Sequence, residues 1–182
     1  TTDTTLTSGG TVYGIFSILA GSQISLNNTS VKVKALNSAY AQGIYALYIS
    51  QGTMTGSDVT VSIDGVTTPN GPLIALSGNN GAQVNLSNIY LSSPSSGASA
   101  IGTNTKITLQ SGTVAAGSSV YKASQGGNLT ATDVTATALL QRAQAVSAAD
   151  GSVLNITRGS VTSNSSNSIV AWVYSSTLNL KD

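Results

Sequence analysis

Six aspartates are the only carboxylate side chains in this sequence, because the chain has no glutamate, and it has no histidine or cysteine either. A Ser/His/Asp triad, a thiol nucleophile and the common zinc ligand sets are therefore excluded. Glycoside hydrolysis remains, and it needs two carboxyl groups about 5 to 9.5 Å apart. Asp58 and Asp133 hold equivalent positions in a repeat, but three copies apart, which predicts a separation of about 14 Å.

The other carboxylate pairs are no closer to a catalytic arrangement. Asp58 with Asp64, and Asp133 with Asp150, would approach only if loops folded back, and we expect no cluster of basic residues beside either pair. A calcium site would require several acids on one face, whereas these acids are scattered along the chain. The sequence predicts a non-enzymatic protein with no metal, no cofactor and no catalytic residue.

The elements that would position any site come from a repeat. An apolar pair spaced i, i+2 recurs seven times, with start-to-start steps of 30, 30, 23, 22, 25 and 24 residues. The copies are Ile24-Ser25-Leu26, Met54-Thr55-Gly56, Val84-Asn85-Leu86, Ile107-Thr108-Leu109, Leu129-Thr130-Ala131, Leu154-Asn155-Ile156 and Leu178-Asn179-Leu180. One copy cannot bury its apolar side alone, so a repeat of this length predicts stacked units.

Two further blocks keep phase with these triplets. A block such as Gly43-Ile44-Tyr45-Ala46-Leu47 precedes each triplet, and one such as Val31-Lys32-Val33-Lys34 follows most of them. Alternating apolar and polar residues predict half-buried strands, with the valines inside and the lysines in water. We read Ala136 to Ala149 as strand and corner rather than helix. The fold class predicted is all-β, a right-handed parallel β-helix (solenoid) of about seven three-stranded rungs, forming one segment over residues 1–182.

The same sequence repeat predicts where the corners and loops lie. A corner is predicted four residues after the start of each of the first six triplets. The corner residues, in chain order, are Asn28, Asp58, Asn88, Ser111, Asp133 and Arg158. Asn and Asp tolerate left-handed backbone, so we interpret this column as a structural device. Four polar segments are predicted to be protruding loops or chain ends: Thr1 to Thr5, Thr67 to Gly71, Ser92 to Ser99 and Ser163 to Asn167.

The middle residues of the triplets are predicted to form an outward row of small side chains that can donate and accept hydrogen bonds. The row consists of Ser25, Thr55, Asn85, Thr108, Thr130, Asn155 and Asn179. The plain interpretation is a soluble strand face. The alternative is a flat binding face that pairs with another copy of the chain or with a host glycan.

The charge and hydropathy of the chain limit the kinds of partner that we expect it to bind. Only 7% of the residues are charged and the net charge is +1. Nucleic acid would require a basic stripe, and Lys32 with Lys34 is the only local basic pair, so we predict no nucleic-acid partner. No apolar stretch approaches the roughly 20 residues that span a bilayer, so we predict no transmembrane segment.

The string Ala41-Gln42-Gly43-Ile44-Tyr45-Ala46, followed by the stretch from Gly52 to Ser62, resembles the rung signature of pertactin-like autotransporter passenger domains. In that family a Gly-Ile-x-Ala strand leads to a corner, then to a Gly-x-Leu-x-Leu strand, an Asn/Asp corner and a Val-x-Val strand. Variants recur at Gly81 to Leu91, Gly127 to Thr137 and Gly151 to Ser163. The resemblance therefore spans nearly the whole chain.

The resemblance implies a secreted bacterial virulence-type protein, exported across the outer membrane to the cell surface by a C-terminal translocator barrel of the same precursor. It implies an adhesin or self-associating segment, or the stalk that presents such a function. The implied partners are a host surface protein or glycan, or another copy. Arg158-Gly159-Ser160 falls short of an Arg-Gly-Asp motif, so no integrin role is carried over.

We also expect the chain to be a fragment of a longer passenger domain. One alternative stays open. The chain would then belong to a polysaccharide-active or phage tailspike-type β-helix whose active residues lie outside this segment.

Overall fold

The computed structural model describes residues 2–6, 10–35, 41–64 and 71–182, and all regular secondary structure in these ranges is β-strand. The strands form two sheets. Sheet A contains β1 (Thr2–Leu6), β3 (Gln23–Ala35), β5 (Thr53–Asp64), β7 (Gln83–Ser93), β9 (Lys106–Ala116), β11 (Asn128–Ala138), β13 (Val153–Thr157), β14 (Ser160–Ser163) and β16 (Thr177–Lys181). Sheet B contains β2 (Gly10–Ser17), β4 (Ala41–Ser50), β6 (Leu73–Asn79), β8 (Ser96–Ile101), β10 (Ser119–Ser124), β12 (Gln144–Ala149) and β15 (Ile169–Tyr174).

Both sheets are parallel, and the chain passes from one to the other after almost every strand. The order in sheet A is β1-β3-β5-β7-β9-β11-β13-β16, with β14 also on β11, and the order in sheet B is β15-β12-β10-β8-β6-β4-β2. Parallel neighbours cannot be joined by a hairpin, so each return to a sheet requires a long connection. Here that connection contains the strand of the other sheet. The predicted all-β class with parallel strands is confirmed.

Pairing follows the sequence repeat. Ile24 pairs with Met54, Met54 with Val84, and Val84 with Ile107, so the triplet copies lie side by side in the predicted register. The inner members form apolar columns, in which Met54, Ile107, Leu109, Leu129 and Leu154 have no exposed surface. A single cluster of buried residues runs through the space between the sheets. Burial of each such aliphatic side chain stabilises the fold by about 1.5 to 3 kcal/mol.

The predicted corners are confirmed in their backbone conformation. Asn28, Asp58, Asn88, Ser111, Asp133 and Arg158 all adopt positive φ, between 47° and 58°. Where the sequence predicted two strands separated by a corner, β3, β5, β7, β9 and β11 instead run through it as single bent strands. The pairing skips only the corner residue, because one left-handed residue turns the backbone without displacing its neighbours from the ladder.

The inward and outward assignments are confirmed for the block from Val31 to Lys34. Val31 and Val33 are buried while Lys32 and Lys34 are exposed. The assignment is wrong for Leu180, an inward member of the last triplet, which is 67% exposed on β16, the outermost described strand of sheet A. The stretch from Ala136 to Ala149 consists of the end of β11, a turn and β12, as predicted.

Two of the loop predictions are wrong. Residues 2–5 belong to β1, which pairs with β3, and the segment from Ser92 to Ser99 contains the end of β7 and the start of β8, with only Pro94 and Ser95 outside strands. Their polar composition is compatible with strands because the ladder hydrogen bonds are made by the backbone. In the segment from Ser163 to Asn167, Ser163 ends β14 and the rest is a turn, as predicted. Of the segment from Thr67 to Gly71, residues 67–70 lie outside the described residues.

Candidate binding surfaces

The predicted polar row exists as one line across sheet A. Ser25 pairs with Thr55, Thr55 with Asn85, and Asn85 with Thr108. The line continues through the pairs Thr108 with Thr130, Thr130 with Asn155 and Asn155 with Asn179. All seven side chains are exposed or half-buried. Adjacent members are about 4.8 Å apart because they lie on paired strands.

The row is partly linked by its own hydrogen bonds. Asn179 Nδ2 donates to Asn155 Oδ1 at 2.7 Å, and Asn155 Nδ2 donates to Thr130 Oγ1 at 3.3 Å. The neighbouring outward row two residues along contains Asn27, Ser57, Ser87, Gln110, Thr132, Thr157 and Lys181. Together the two rows form a nearly uncharged surface with many donors and acceptors, in which Lys181 is the one charged member.

A depression of about 210 Å³ lies on this surface between the strands β5, β7 and β9. Asn85 and Thr108 of the predicted row line it together with Ser87 and Gln110 of the neighbouring row. The depression therefore offers hydroxyl and amide groups to a neutral polar ligand.

The corner aspartates are engaged in contacts between neighbouring coils. Asn88 Nδ2 donates to Asp58 Oδ1, one strand away. Arg158 donates to both oxygens of Asp133, at 2.9 Å from Nε and 2.8 Å from Nη2. These hydrogen bonds from Arg158, more than its charge alone, hold the pKa of Asp133 below its ordinary value of 3.8.

Two of these acids each have one basic neighbour, since Arg158 pairs with Asp133 and Lys32 Nζ lies 3.1 Å from Asp64 Oδ2. Each is a single ion pair at the surface, which typically contributes little to stability. Asp58 and Asp133 share the corner column with Asn88 and Ser111 between them, so three strand spacings, about 14 Å, separate their positions.

Within the described ranges, no three or more residues among His, Cys, Asp and Glu are grouped closely enough to hold a metal ion. In the same ranges, a search for helices long and apolar enough to cross a bilayer finds none.

Comparison with known proteins gives no relative. No protein-family model, curated protein or solved structure matches this chain. The autotransporter resemblance thus rests on the rung-like motifs alone and remains a prediction.

A second surface, which was not predicted from the sequence, lies on the outer side of sheet B. Four aromatic rings, of Tyr13, Phe16, Tyr45 and Tyr48, form one cluster, with centroid separations between 4.4 and 5.6 Å. Burial raises the pKa of Tyr45 and of Tyr48, and the nearby tyrosines raise them further. The available signal was that the chain's few aromatic residues recur at i, i+3 in two successive copies, Tyr13 with Phe16 and Tyr45 with Tyr48.

A polar cavity on the same sheet was also missed. Lys122 and Arg142 line it, although 20 positions separate them in the sequence. Lys32 with Lys34 is the only basic pair that local sequence shows. The cavity brings together two cations that no short motif could connect.

Proposed function

We propose that the chain is a right-handed parallel β-helix of about seven three-stranded rungs and acts as a passenger segment at a bacterial cell surface. In this role it mediates adhesion or self-association, or forms the stalk that presents such a function. The proposed partners are a host surface protein or glycan, or a second copy of the chain.

Three features of the described residues support the β-helix. The strands alternate between two parallel sheets, the triplets pair in the register of the repeat, and the corner residues share one backbone conformation. A parallel crossover is right-handed in about 98% of cases, because the twist of the strand favours that hand. The rung count follows from the seven triplet copies.

The observation that carries the proposed function is the in-register polar row from Ser25 to Asn179. Seven exposed or half-buried side chains repeat at the spacing of the strands on a nearly uncharged surface. Each hydrogen bond that such a row forms with a partner is weak on its own. Repetition along the row makes the interaction multivalent, which suits adhesion and self-association.

The test displays the chain on bacterial cells and measures cell clumping and attachment to host cells. Thr55, Asn85, Thr108 and Thr130 are replaced together by lysine. Like charges at adjacent row positions repel a second copy and disrupt the neutral face, so we expect clumping and attachment to fall to the level of cells without the chain.

A matched control places four lysines on another exposed row of the same sheet, with the substitutions Thr60→Lys, Thr113→Lys, Thr135→Lys and Ser160→Lys. This control should clump and attach like the unmodified chain. Equal loss with both sets would show a general charge effect and contradict the assignment to this row. Failure of the unmodified chain to promote either clumping or attachment would contradict the proposed function itself.

A further inference from the structure

The strands of sheet B bend in the middle, and the bend brings two outward rows together. Pairing between β2, β4 and β6 skips one residue per strand, at Gly14, Ala46 and Ala75. Around the skipped position Ala46 and Leu47 are both buried, so Tyr45 and Tyr48 point outward on either side of it. The alternation of buried and outward side chains is therefore interrupted at the bend.

Two outer rows flank this bend along the sheet. The first outer row contains Tyr13, Tyr45, Ile74, Ser96 and Ser119 and continues to Gln144. The second outer row contains Phe16, Tyr48, Ser77, Ser99, Lys122, Ser147 and Trp172.

The side chains of the two outer rows approach each other across the bend, and we call the strip between these rows the cleft. The rings of Tyr13 and Phe16, from the two rows of one strand, have centroids only 4.4 Å apart, and those of Tyr45 and Tyr48 are 5.3 Å apart. Deep in the second row, Ser99 has no exposed surface and its hydroxyl has no hydrogen-bond partner among the described residues. A buried hydroxyl without a partner costs about 1 to 3 kcal/mol, and with no exposed surface the Ser99 hydroxyl is a cost to the fold rather than a contact for a ligand.

The centre of the cleft is positively charged. A cavity of about 300 Å³ there is lined by Lys122, Arg142, Gln144 and four serines, and no carboxylate lines it. Lys32 and Arg158 are each paired with an aspartate, whereas neither Lys122 nor Arg142 forms an ion pair with an acid of the described residues. Two cations among serine hydroxyls match a carboxylate or sulfate group, which a guanidinium can bind with two parallel hydrogen bonds.

Aromatic rings lie on both sides of this charge along the second row. Tyr48 is three strand spacings from Lys122, about 14 Å, and Trp172 is two spacings away on the other side, about 10 Å. Aromatic faces pack against the apolar C–H faces of sugar rings, and tyrosine hydroxyls can bond to sugar hydroxyls. A linear ligand with a negative group between ring-shaped units fits this order of side chains.

We propose that the cleft along the outer side of sheet B binds an acidic oligosaccharide. Its carboxylate or sulfate group lies between Lys122 and Arg142, and a sugar unit further along packs on the aromatic cluster of Tyr13, Phe16, Tyr45 and Tyr48. This site lies on a different sheet from the polar row on sheet A and does not depend on the proposed surface function.

The test is isothermal titration calorimetry of the purified full chain with four probes. These are a sulfated heparin-derived hexasaccharide, an oligogalacturonate of the same length, a neutral cellohexaose and inorganic sulfate. We expect saturable binding of at least one acidic hexasaccharide, with both cellohexaose and inorganic sulfate at least about tenfold weaker.

Substitutions test whether Lys122 and Arg142 themselves bind the ligand, or whether any positive charge on the chain has the same effect. Lys122→Gln and Arg142→Gln, both at exposed positions, should each weaken the acidic probe about tenfold or more, because each removes a charge-assisted hydrogen bond. Lys34→Gln removes an exposed cation from sheet A and should leave the affinity unchanged. Phe16→Ser should weaken binding of the hexasaccharide but not binding of sulfate. Tyr90→Ser, at an equally exposed aromatic residue on sheet A, should weaken binding of neither ligand.

Any one of three results would overturn the proposal. The first is that neither acidic hexasaccharide binds, and the second is that Lys34→Gln weakens binding as much as Lys122→Gln. The third is that inorganic sulfate binds as tightly as the hexasaccharide. The last result would reduce the site to a simple anion site without sugar recognition. Because calorimetry measures binding by the purified chain, its outcome does not depend on the result of the clumping assay.

Discussion

At the scale of single residues, Tyr121 is the least expected member of the core. It has no exposed surface and pairs in register with Ala98 and Val146, small and aliphatic neighbours. Its hydroxyl has no hydrogen-bond partner among the described residues. The side chain thus contributes a large apolar ring at the cost of one unsatisfied polar group.

Replacing Tyr121 with phenylalanine should stabilise the protein by about 1 kcal/mol in chemical denaturation, because it removes the unsatisfied hydroxyl and keeps the ring. Burial also raises the pKa of Tyr121 above its ordinary value of 10.0. The folded state then holds the phenol proton more tightly than the unfolded state, and this contribution to stability is lost as the pH rises above 10. Tyr121→Phe should therefore lose less stability than the parent above pH 10.

The control for this prediction is Tyr90→Phe, since Tyr90 is 48% exposed on sheet A. It should leave the neutral-pH stability unchanged within about 0.5 kcal/mol, because it alters an exposed side chain. A destabilised Tyr121→Phe would mean that the hydroxyl has a partner in the folded protein.

At the scale of the elements, stability comes from columns of side chains that cross the paired strands. Leu109 on β9 lies between Leu86 on β7 and Ala131 on β11, and it has no exposed surface. Each strand is therefore held by its two neighbours more than by its own turns.

Leu109→Ala should destabilise the protein by about 3 kcal/mol, since it removes a buried side chain and leaves a cavity in the column. The matched control is Leu180→Ala in β16, where the leucine is 67% exposed, and its effect should be within about 0.5 kcal/mol. The measurement is the free energy of unfolding by urea. Equal effects of the two substitutions would contradict the column as the source of stability.

The elements also show where sequence reasoning reaches its limit. The corner column, from Asn28 to Arg158, was predicted because it recurs at a fixed offset from each triplet. The bend in sheet B was not, because residues such as Ala46 and Ala75 look like ordinary members of an alternating strand. Sequence alternation alone does not reveal where two consecutive side chains both turn inward.

At the scale of the whole molecule, burial is uneven along the stack of strands. Side chains of β7, β9 and β11 alternate between buried and more exposed positions, whereas all six residues of β15 are exposed. Within the described residues β15 also stands at the end of sheet B, with β12 as its one neighbour.

Native-state hydrogen exchange should reflect this difference. The ladder amides of β7, β9 and β11 should exchange only by opening of large parts of the fold, whereas those of β15 should exchange through local opening and at least about tenfold faster. Amide exchange measured by NMR at fixed pH would check this. Protection of β15 equal to that of β9 would contradict the prediction and imply that the stack opens as one unit.

The sequence by itself determined the strand class, the parallel register, the corners and the polar row on sheet A, because all of these repeat at a fixed spacing. A fixed spacing places equivalent residues on neighbouring strands, whatever the connecting segments do. Only the tertiary structure decided the cleft on sheet B. There the bend sets residues three apart on one surface, and the turn after β11 brings Arg142 to the same cavity as Lys122. Both depend on how segments pack in space, which spacing along the chain does not record.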